Sequence, residues 1–165
     1  MFEVLAAAIE DIEIPVDRPA LVEVLRLADQ LEARISEAVG EFDARQLWRL
    51  DNDRSMVAWL MRRGKLAEAE ARQVTSTAAR LRGFPLTRRA WLDGVLSAGQ
   101  VRAIAAAITD TTAPLYAQHE VDLVPALVGL DVRDTTTLMR TWVARPSVLP
   151  DGAGFSPEQR GDDTS

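Results

Sequence analysis

Apolar side chains recur at intervals of three and four residues along most of the chain. The longest such stripe lies within residues 18–46 and consists of Leu21, Leu25, Ala28, Leu31, Ile35, Val39 and Phe42. This spacing places the side chains on one face of an α-helix. Alternating runs of β-branched residues, which would indicate strands, do not occur in the sequence. The pattern predicts an all-α fold, a repeat-containing bundle of about seven or eight helices.

One helical pattern occurs three times, in copies about thirty residues apart. The copies open with Leu66-Ala67-x-x-Glu70-Ala71, with Leu96-Ser97-x-x-Gln100-Val101 and, more faintly, with Leu130-Asp131-x-x-Asp134-Thr135. Each copy has an apolar residue, a capping position and a polar side chain three positions later, which is typical of a helix start. Because a unit of this size cannot bury its apolar stripe alone, we expect the copies to pack on one another.

Capping and helix-breaking residues predict where the helices begin and end. The predicted helices cover residues 2–12, 17 to about 48, 53 or 55 to 64, about 67–82, 87–91, 97 onward, 114 to about 128, and 131 to about 145. Gly64 is predicted to end its helix in the left-handed conformation. Residues 146–165 are rich in Pro, Gly, Ser and Asp, so they predict a disordered tail or a linker severed from a second domain. The helical domain is therefore placed at residues 1–145.

The net charge of −6 hides a strong asymmetry along the chain. Residues 1–44 carry a net charge of −8, residues 45–103 carry +7, and residues 104–165 carry −5. A basic middle between acidic ends favours either an anionic partner or ion pairing between segments of the same chain. Both interpretations remain open from the sequence.

The inventory of reactive side chains excludes most familiar catalytic and metal sites. There is no cysteine, and the single histidine, His119, is predicted to lie on the solvated face of a helix. Asp51-Asn52-Asp53 lacks the glycine and the final glutamate of a calcium loop. No apolar run approaches the roughly 20 residues that span a bilayer. We therefore expect no catalysis, no cofactor, no metal, no membrane partner and a cytoplasmic location.

The basic middle segment supplies the candidate contacts for nucleic acid. They are Arg62, Arg63, Lys65, Arg72, Arg80, Arg82, Arg88 and Arg89. The helix, glycine turn and helix around Gly94 approximate a DNA-reading helix-turn-helix, although the interval from Gly94 to Val101 is one residue too long. A solvated arginine face is the alternative. For the four tryptophans, Trp48, Trp59, Trp91 and Trp142, packing between helices is favoured over base stacking.

A set of motifs in the same order and spacing resembles a known family. The motifs are Asp43-Ala44-Arg45-x-Leu47-Trp48-Arg49, Arg54-Ser55-x-x-Ala58-Trp59-Leu60, Leu66-x-x-x-Glu70-Ala71-Arg72, Leu81 and Leu96-Ser97-x-x-Gln100-Val101. Over about residues 20–145 the chain resembles the 13E12 repeat family, also called domain of unknown function 222. The resemblance implies a mostly actinobacterial family whose helical domain precedes an HNH endonuclease module, and hence a DNA-related context.

Two departures from the family pattern limit what the resemblance implies. An HNH centre needs histidines and an asparagine around a metal, whereas this chain offers only His119 and Asn52, both within the helical domain. Ala67 stands where the family usually has a capping serine, which weakens that helix start by about 1 kcal/mol. We therefore expect a non-catalytic, DNA-associated accessory domain without the nuclease half. The alternative is a protein-interaction or self-association module that uses the acidic helix at residues 18–46.

Overall fold

The computed structural model describes residues 1–145, which form eight α-helices and one 3₁₀ helix and contain no strand. The helices are α1 Phe2–Asp11, α2 Arg18–Ala44, the 3₁₀ helix Leu47–Asp51, α3 Met56–Arg62, α4 Glu68–Leu81, α5 Pro85–Leu92, α6 Ala98–Ala107, α7 Ala113–Leu127 and α8 Val132–Val143. The predicted all-α fold is confirmed. The predicted disordered tail, residues 146–165, lies outside the described residues.

The three sequence repeats are the helices α4, α6 and α8, and α6 contacts the other two. The same repeat position is fully buried in each copy, at Ala71, Val101 and Thr135. Neighbouring copies are also joined by a hydrogen bond of 3.1 Å from Gln100 Nε2 to Thr135 Oγ1. The expectation that the repeats pack on one another is confirmed.

Two apolar clusters form the core of the domain. The larger one surrounds Trp91, Ile104 and Tyr116 and joins the four helices α5, α6, α7 and α8. The smaller one lies between α2, α3 and α4. At Gly40, α2 approaches α4 so closely that a Cβ atom would lie 3.4 Å from the carbonyl oxygen of Ala78. This close approach explains a glycine in the middle of the longest helix.

Most of the predicted helix starts are capped by a side chain. Asp17, Ser55, Ser97 and Asp131 each accept a hydrogen bond from a backbone N–H of the first turn. In α6 the capping box is complete, because Gln100 Oε1 also accepts from the Ser97 N–H at 3.0 Å. Ala67 supplies no cap to α4. The first turn of α4 instead carries Glu68 and Glu70, whose charges complement the helix dipole.

Three local predictions were wrong. Gly64 does not adopt the left-handed conformation, which belongs to Lys65 at φ 59°. A glycine stands at position 64 because a Cβ there would lie 2.8 Å from the carbonyl oxygen of Leu60. α5 begins at Pro85 rather than at Thr87. α2 ends at Ala44, and the left-handed Gln46 (φ 53°) separates it from the 3₁₀ helix.

Candidate interaction surfaces

The first cluster of candidate cations, at the end of α3, is tied into a local network. Arg62 donates to Asp53 Oδ2 at 2.6 Å, and this contact raises the pKa of the guanidinium. Arg63 donates to Asp51 Oδ1 at 3.1 Å, and the Trp59 indole N–H donates to the other oxygen of the same carboxylate at 2.7 Å. Arg62 and Arg63 therefore fix the turn between the 3₁₀ helix and α3.

Most candidates on α4 and α5 are also paired with carboxylates of the chain. The pairs are Arg72 with Glu68 at 2.6 Å, Arg80 with Asp110 at 3.0 Å, Arg88 with Glu37 at 3.8 Å and Arg89 with Asp93 at 2.9 Å. The pair formed by Arg88, and a further one between Arg102 and Glu32, join the basic middle of the chain to the acidic α2. This agrees with the interpretation of the charge asymmetry as pairing between segments.

Two candidates, Lys65 and Arg82, have no carboxylate partner among residues 1–145. They lie beyond opposite ends of α4, whose 14 residues correspond to about 21 Å of helix. Arg82 and Arg88 line a groove of about 240 Å³ between α2, α4 and α5, together with Glu37 and Glu41. The groove is balanced in charge. The structure therefore does not gather the eight candidates into one cationic patch.

The helix-turn-helix interpretation is wrong, because its second helix is part of the core. α6 buries Ala98, Gln100, Val101, Ile104 and Ala105, and only Ala106 is exposed among its ten residues within the described chain. A recognition helix must present an exposed face to the groove of a duplex. Gly94 has the predicted turn role, with φ +70°.

The tryptophans pack between helices, as favoured from the sequence. Trp91 is 2% exposed, and Trp142 stacks edge-on against Tyr116 with ring centroids 5.8 Å apart. The Trp48 indole N–H donates to Asp43 at 3.0 Å. His119 lies on the exposed side of α7, as predicted. Among residues 1–145 there is no group of three or more His, Asp or Glu side chains that could hold a metal ion.

Exposed hydrophobic side chains of the described chain are concentrated at the N-terminus, which the sequence pattern did not show as a whole. We call residues 1–31 the N-terminal arm. Within residues 1–145, α1 has no buried residue and the first buried residue of α2 is Ala33. The large exposed hydrophobic side chains of the arm are Met1, Phe2, Val4, Leu5, Ile9, Ile12, Ile14, Val16, Leu21, Val22, Leu25, Leu27 and Leu31. They form more than half of such residues in the described chain.

The base of the N-terminal arm is held firmly by polar contacts to the body. Gln30 Nε2 donates to the carbonyl of Leu92 at 3.0 Å, and Asp29 Oδ1 accepts from the N–H of Ala98 at 2.9 Å. The linker before α2 lies along that helix, where Ile12 and Ile14 line an apolar groove of about 220 Å³. The arm therefore leaves the body in a direction fixed by α2.

Comparison with known proteins identifies the family. A family model described as Domain of unknown function (DUF222) matches residues 19–153. The chain belongs to this family. Neither the comparison with curated proteins nor the comparison with solved structures finds a match. The match confirms the family that the motifs of the sequence resemble.

The motifs of this DUF222 domain serve to hold its fold. Trp48 is bonded to Asp43, Trp59 is bonded to Asp51, and Ser55 caps α3. α1 lies outside the residues that match the family model. None of the helices within residues 1–145 combines the length and the apolarity needed to cross a membrane.

Proposed function

We propose that this DUF222 domain is a non-catalytic protein-interaction module whose contact surface is the N-terminal arm. The observation that carries the proposal is the exposure of apolar side chains on both α1 and the first half of α2. Phe2 is 75% exposed and Leu25 is 64% exposed. Contiguous apolar patches larger than a few hundred Å² are uncommon on monomeric proteins and mark sites of interaction.

The charge of the N-terminal arm favours a protein as its partner. Residues 1–31 contain seven acidic and two basic side chains. Helices that lie on anionic membranes carry Lys and Arg on their polar face, and nucleic acids bind through cationic groups. An acidic, apolar arm matches neither of these partners. It suits an apolar surface of a protein.

Site-specific photo-crosslinking in cells that express the full chain tests this proposal. A benzophenone amino acid replaces Ile9 or Leu25 in the arm, and Val121 on α7, which is 63% exposed, serves as the control position. We expect protein adducts from both arm positions and none from position 121. Arm positions that give no protein adduct at native expression levels would overturn the proposal.

DNA association is the second candidate function. It is supported by the free cations Lys65 and Arg82 and by the exposure of several ion pairs, since exposed pairs are worth only about 0–1 kcal/mol and phosphate can displace the carboxylate. In this proposal the domain is a cytoplasmic accessory to the HNH endonuclease chemistry that the family resemblance implies. It positions DNA without cleaving it.

A fluorescence anisotropy titration of duplex DNA at several salt concentrations tests the second candidate. Lys65→Gln and Arg82→Gln are each expected to weaken binding and to reduce the log–log salt slope by about 0.9. Arg133→Gln on α8 is the charge-matched control and leaves the slope unchanged. Binding that is absent at low salt, or insensitive to salt, removes DNA association as a function.

A further inference from the structure

We infer that the N-terminal arm binds a second copy of the same chain, with the two α2 helices packed antiparallel. This inference rests on the proposed interaction function and names its partner. The proposed contact is formed by the part of α2 from Leu21 to Ala38. This part begins within the arm and continues along the outer side of the body. The side chains on this face are exposed or half-exposed within the described chain.

The apolar positions on this face follow the spacing of a two-helix seam. Steps of three and four residues alternate from Leu21 onward, and we call this set the seam: Leu21, Val24, Ala28, Leu31, Ile35 and Ala38. Alternation of three and four keeps apolar side chains on the contact line of two helices that coil around each other. Ala33 and Gly40, which pack against the body, lie outside the seam.

The seam is complementary to itself when the second copy runs in the opposite direction. If Ala28 lies opposite Leu31 of the second copy, the same register places Leu21 opposite Ala38 and Val24 opposite Ile35. Leucine then faces alanine at four of the six layers, and the two β-branched residues face each other at the other two. The arrangement has a two-fold axis and closes as a dimer.

The charge distribution along the chain also favours the antiparallel direction. In this register Asp17, which caps the start of α2, comes beside residue 42 of the second copy, less than one turn from Arg45. Arg45 is 63% exposed and lies only loosely against Glu41 at 3.9 Å. A parallel pair would instead place Asp17 of both copies together. The antiparallel pair thus matches the acidic end of one copy with the start of the basic segment of the other.

The size of the contact requires both helices of the N-terminal arm. The seam spans residues 21–38, about 26 Å of helix, which is short for a stable interface, where about 1,600 Å² is usual. The ten residues of α1 in each copy are not buried within residues 1–145 and carry further apolar surface. With α1 of each copy packed beside the two seams, two copies form a four-helix arrangement around an apolar centre.

Sedimentation equilibrium of the full chain gives the first test. We expect a reversible dimer, and we expect Leu31→Gln and Ile35→Gln each to raise the dissociation constant at least tenfold (about 1.4 kcal/mol). Val121→Gln, at an exposed position on α7, leaves it unchanged. Because Leu31 and Ile35 are 41% and 51% exposed, the variants keep the far-UV circular dichroism of the wild type. A wild-type chain that stays monomeric at about 100 µM overturns the inference.

Engineered disulfides test the direction and register, since the chain contains no cysteine of its own. Ala28→Cys and Leu31→Cys chains carrying different tags are mixed and oxidised. We expect the mixed pair to form a disulfide much faster than either variant alone, because a disulfide requires Cα atoms within about 7 Å. Equal rates for the mixed and single samples overturn the register. Arm crosslinks to a different protein in cells, together with a monomer in solution, overturn the inference but leave the proposed function standing.

Discussion

The backbone N–H of Thr87 in α5 donates a 2.8 Å hydrogen bond to the carboxylate of Glu120 in α7. The Thr87 hydroxyl donates to the same oxygen at 2.7 Å, and Glu120 is only 2% exposed. Phe84 precedes α5 and has no side chain that could cap it. The free N–H groups and the positive end of the helix dipole are therefore satisfied from another helix. This contact makes the docking of α7 a condition for a stable α5.

Replacement Glu120→Gln is expected to lower the free energy of unfolding by about 1–3 kcal/mol. The amide carries no charge, and its NH2 group would face the donor groups at the start of α5. Urea denaturation of the two proteins measures the difference. Asp122→Asn, at an exposed position of the same helix, removes the same charge and leaves stability unchanged. Equal midpoints for Glu120→Gln and the wild type would show that the carboxylate does not stabilise α5.

The same network orients the hydroxyl of Tyr116. Thr87 uses its single hydroxyl hydrogen for Glu120, so in the 2.8 Å contact between Tyr116 and Thr87 the phenol is the donor. Burial raises the pKa of Tyr116 to about 12, and the nearby Glu120 acts in the same direction. Ionisation of the phenol would remove the donor and place two negative charges together. The folded state therefore holds this proton more tightly than the unfolded state does.

Absorbance at 295 nm reports this ionisation directly, because Tyr116 is the only tyrosine in the chain. The stability contributed by the protonated Tyr116 is fully present below the unfolded pKa of about 10. It is lost as the pH rises through the folded pKa of about 12. Tyr116→Phe is expected to cost about 0.5–1.5 kcal/mol at neutral pH through the lost hydrogen bond. It also makes stability depend less on pH between these two values. A folded wild-type protein that titrates near pH 10 would contradict the prediction.

The fold was largely predictable because its helices are specified locally. The spacing of apolar residues, the caps at Ser97 and Asp131 and the repeat of about thirty residues are all properties of the sequence. Packing of the repeats follows from them, since each copy has one apolar face to bury. The left-handed residue after α3 was misplaced because Gly64 meets a steric limit set by Leu60, which a sequence pattern does not show.

The candidate surfaces were less predictable, because spacing shows which side chains share a face but not what covers that face. Leu21 and Val39 belong to the same apolar stripe, yet Leu21 is 48% exposed and Val39 is 8% exposed. Charge has the same limitation. Arg62 and Lys65 looked equivalent in the sequence, but only Arg62 has carboxylates within reach in residues 1–145. The difference between Leu21 and Val39 and the difference between Arg62 and Lys65 both depend on contacts in the folded chain. Neither spacing nor charge in the sequence specifies those contacts.

The contrast between Arg62 and Lys65 predicts opposite behaviour in two measurements. Arg62→Gln is expected to lower the urea midpoint, because the turn before α3 loses its bonds to Asp53 and to the carbonyl of Asp51. Lys65→Gln leaves the midpoint unchanged. If the chain binds DNA, the salt slope of binding changes for Lys65→Gln. Unfolding curves that coincide for Arg62→Gln and the wild type would show that the bonds of Arg62 do not stabilise the turn.

Two glycines that both follow helices are predicted to respond differently to alanine. At Gly64 a Cβ would lie 2.8 Å from the carbonyl oxygen of Leu60, so Gly64→Ala forces the backbone to shift at a cost of about 1–3 kcal/mol. At Gly83 the nearest atom, the carbonyl oxygen of Arg80, is 3.5 Å away and φ is not positive. Gly83→Ala is therefore neutral or stabilising by up to about 1 kcal/mol, because alanine restricts the unfolded chain.

Thermal unfolding followed by circular dichroism at about 222 nm measures both alanine variants, with a shift of roughly 2–4 °C expected for each kcal/mol in a domain of this size. Gly83→Ala serves as the matched control for the general effect of replacing glycine by alanine. A midpoint for Gly64→Ala at or above that of Gly83→Ala would mean that the end of α3 relaxes freely. Gly64 would then not be required by the approach of the chain to Leu60, and the turn that carries Lys65 would be adaptable rather than fixed.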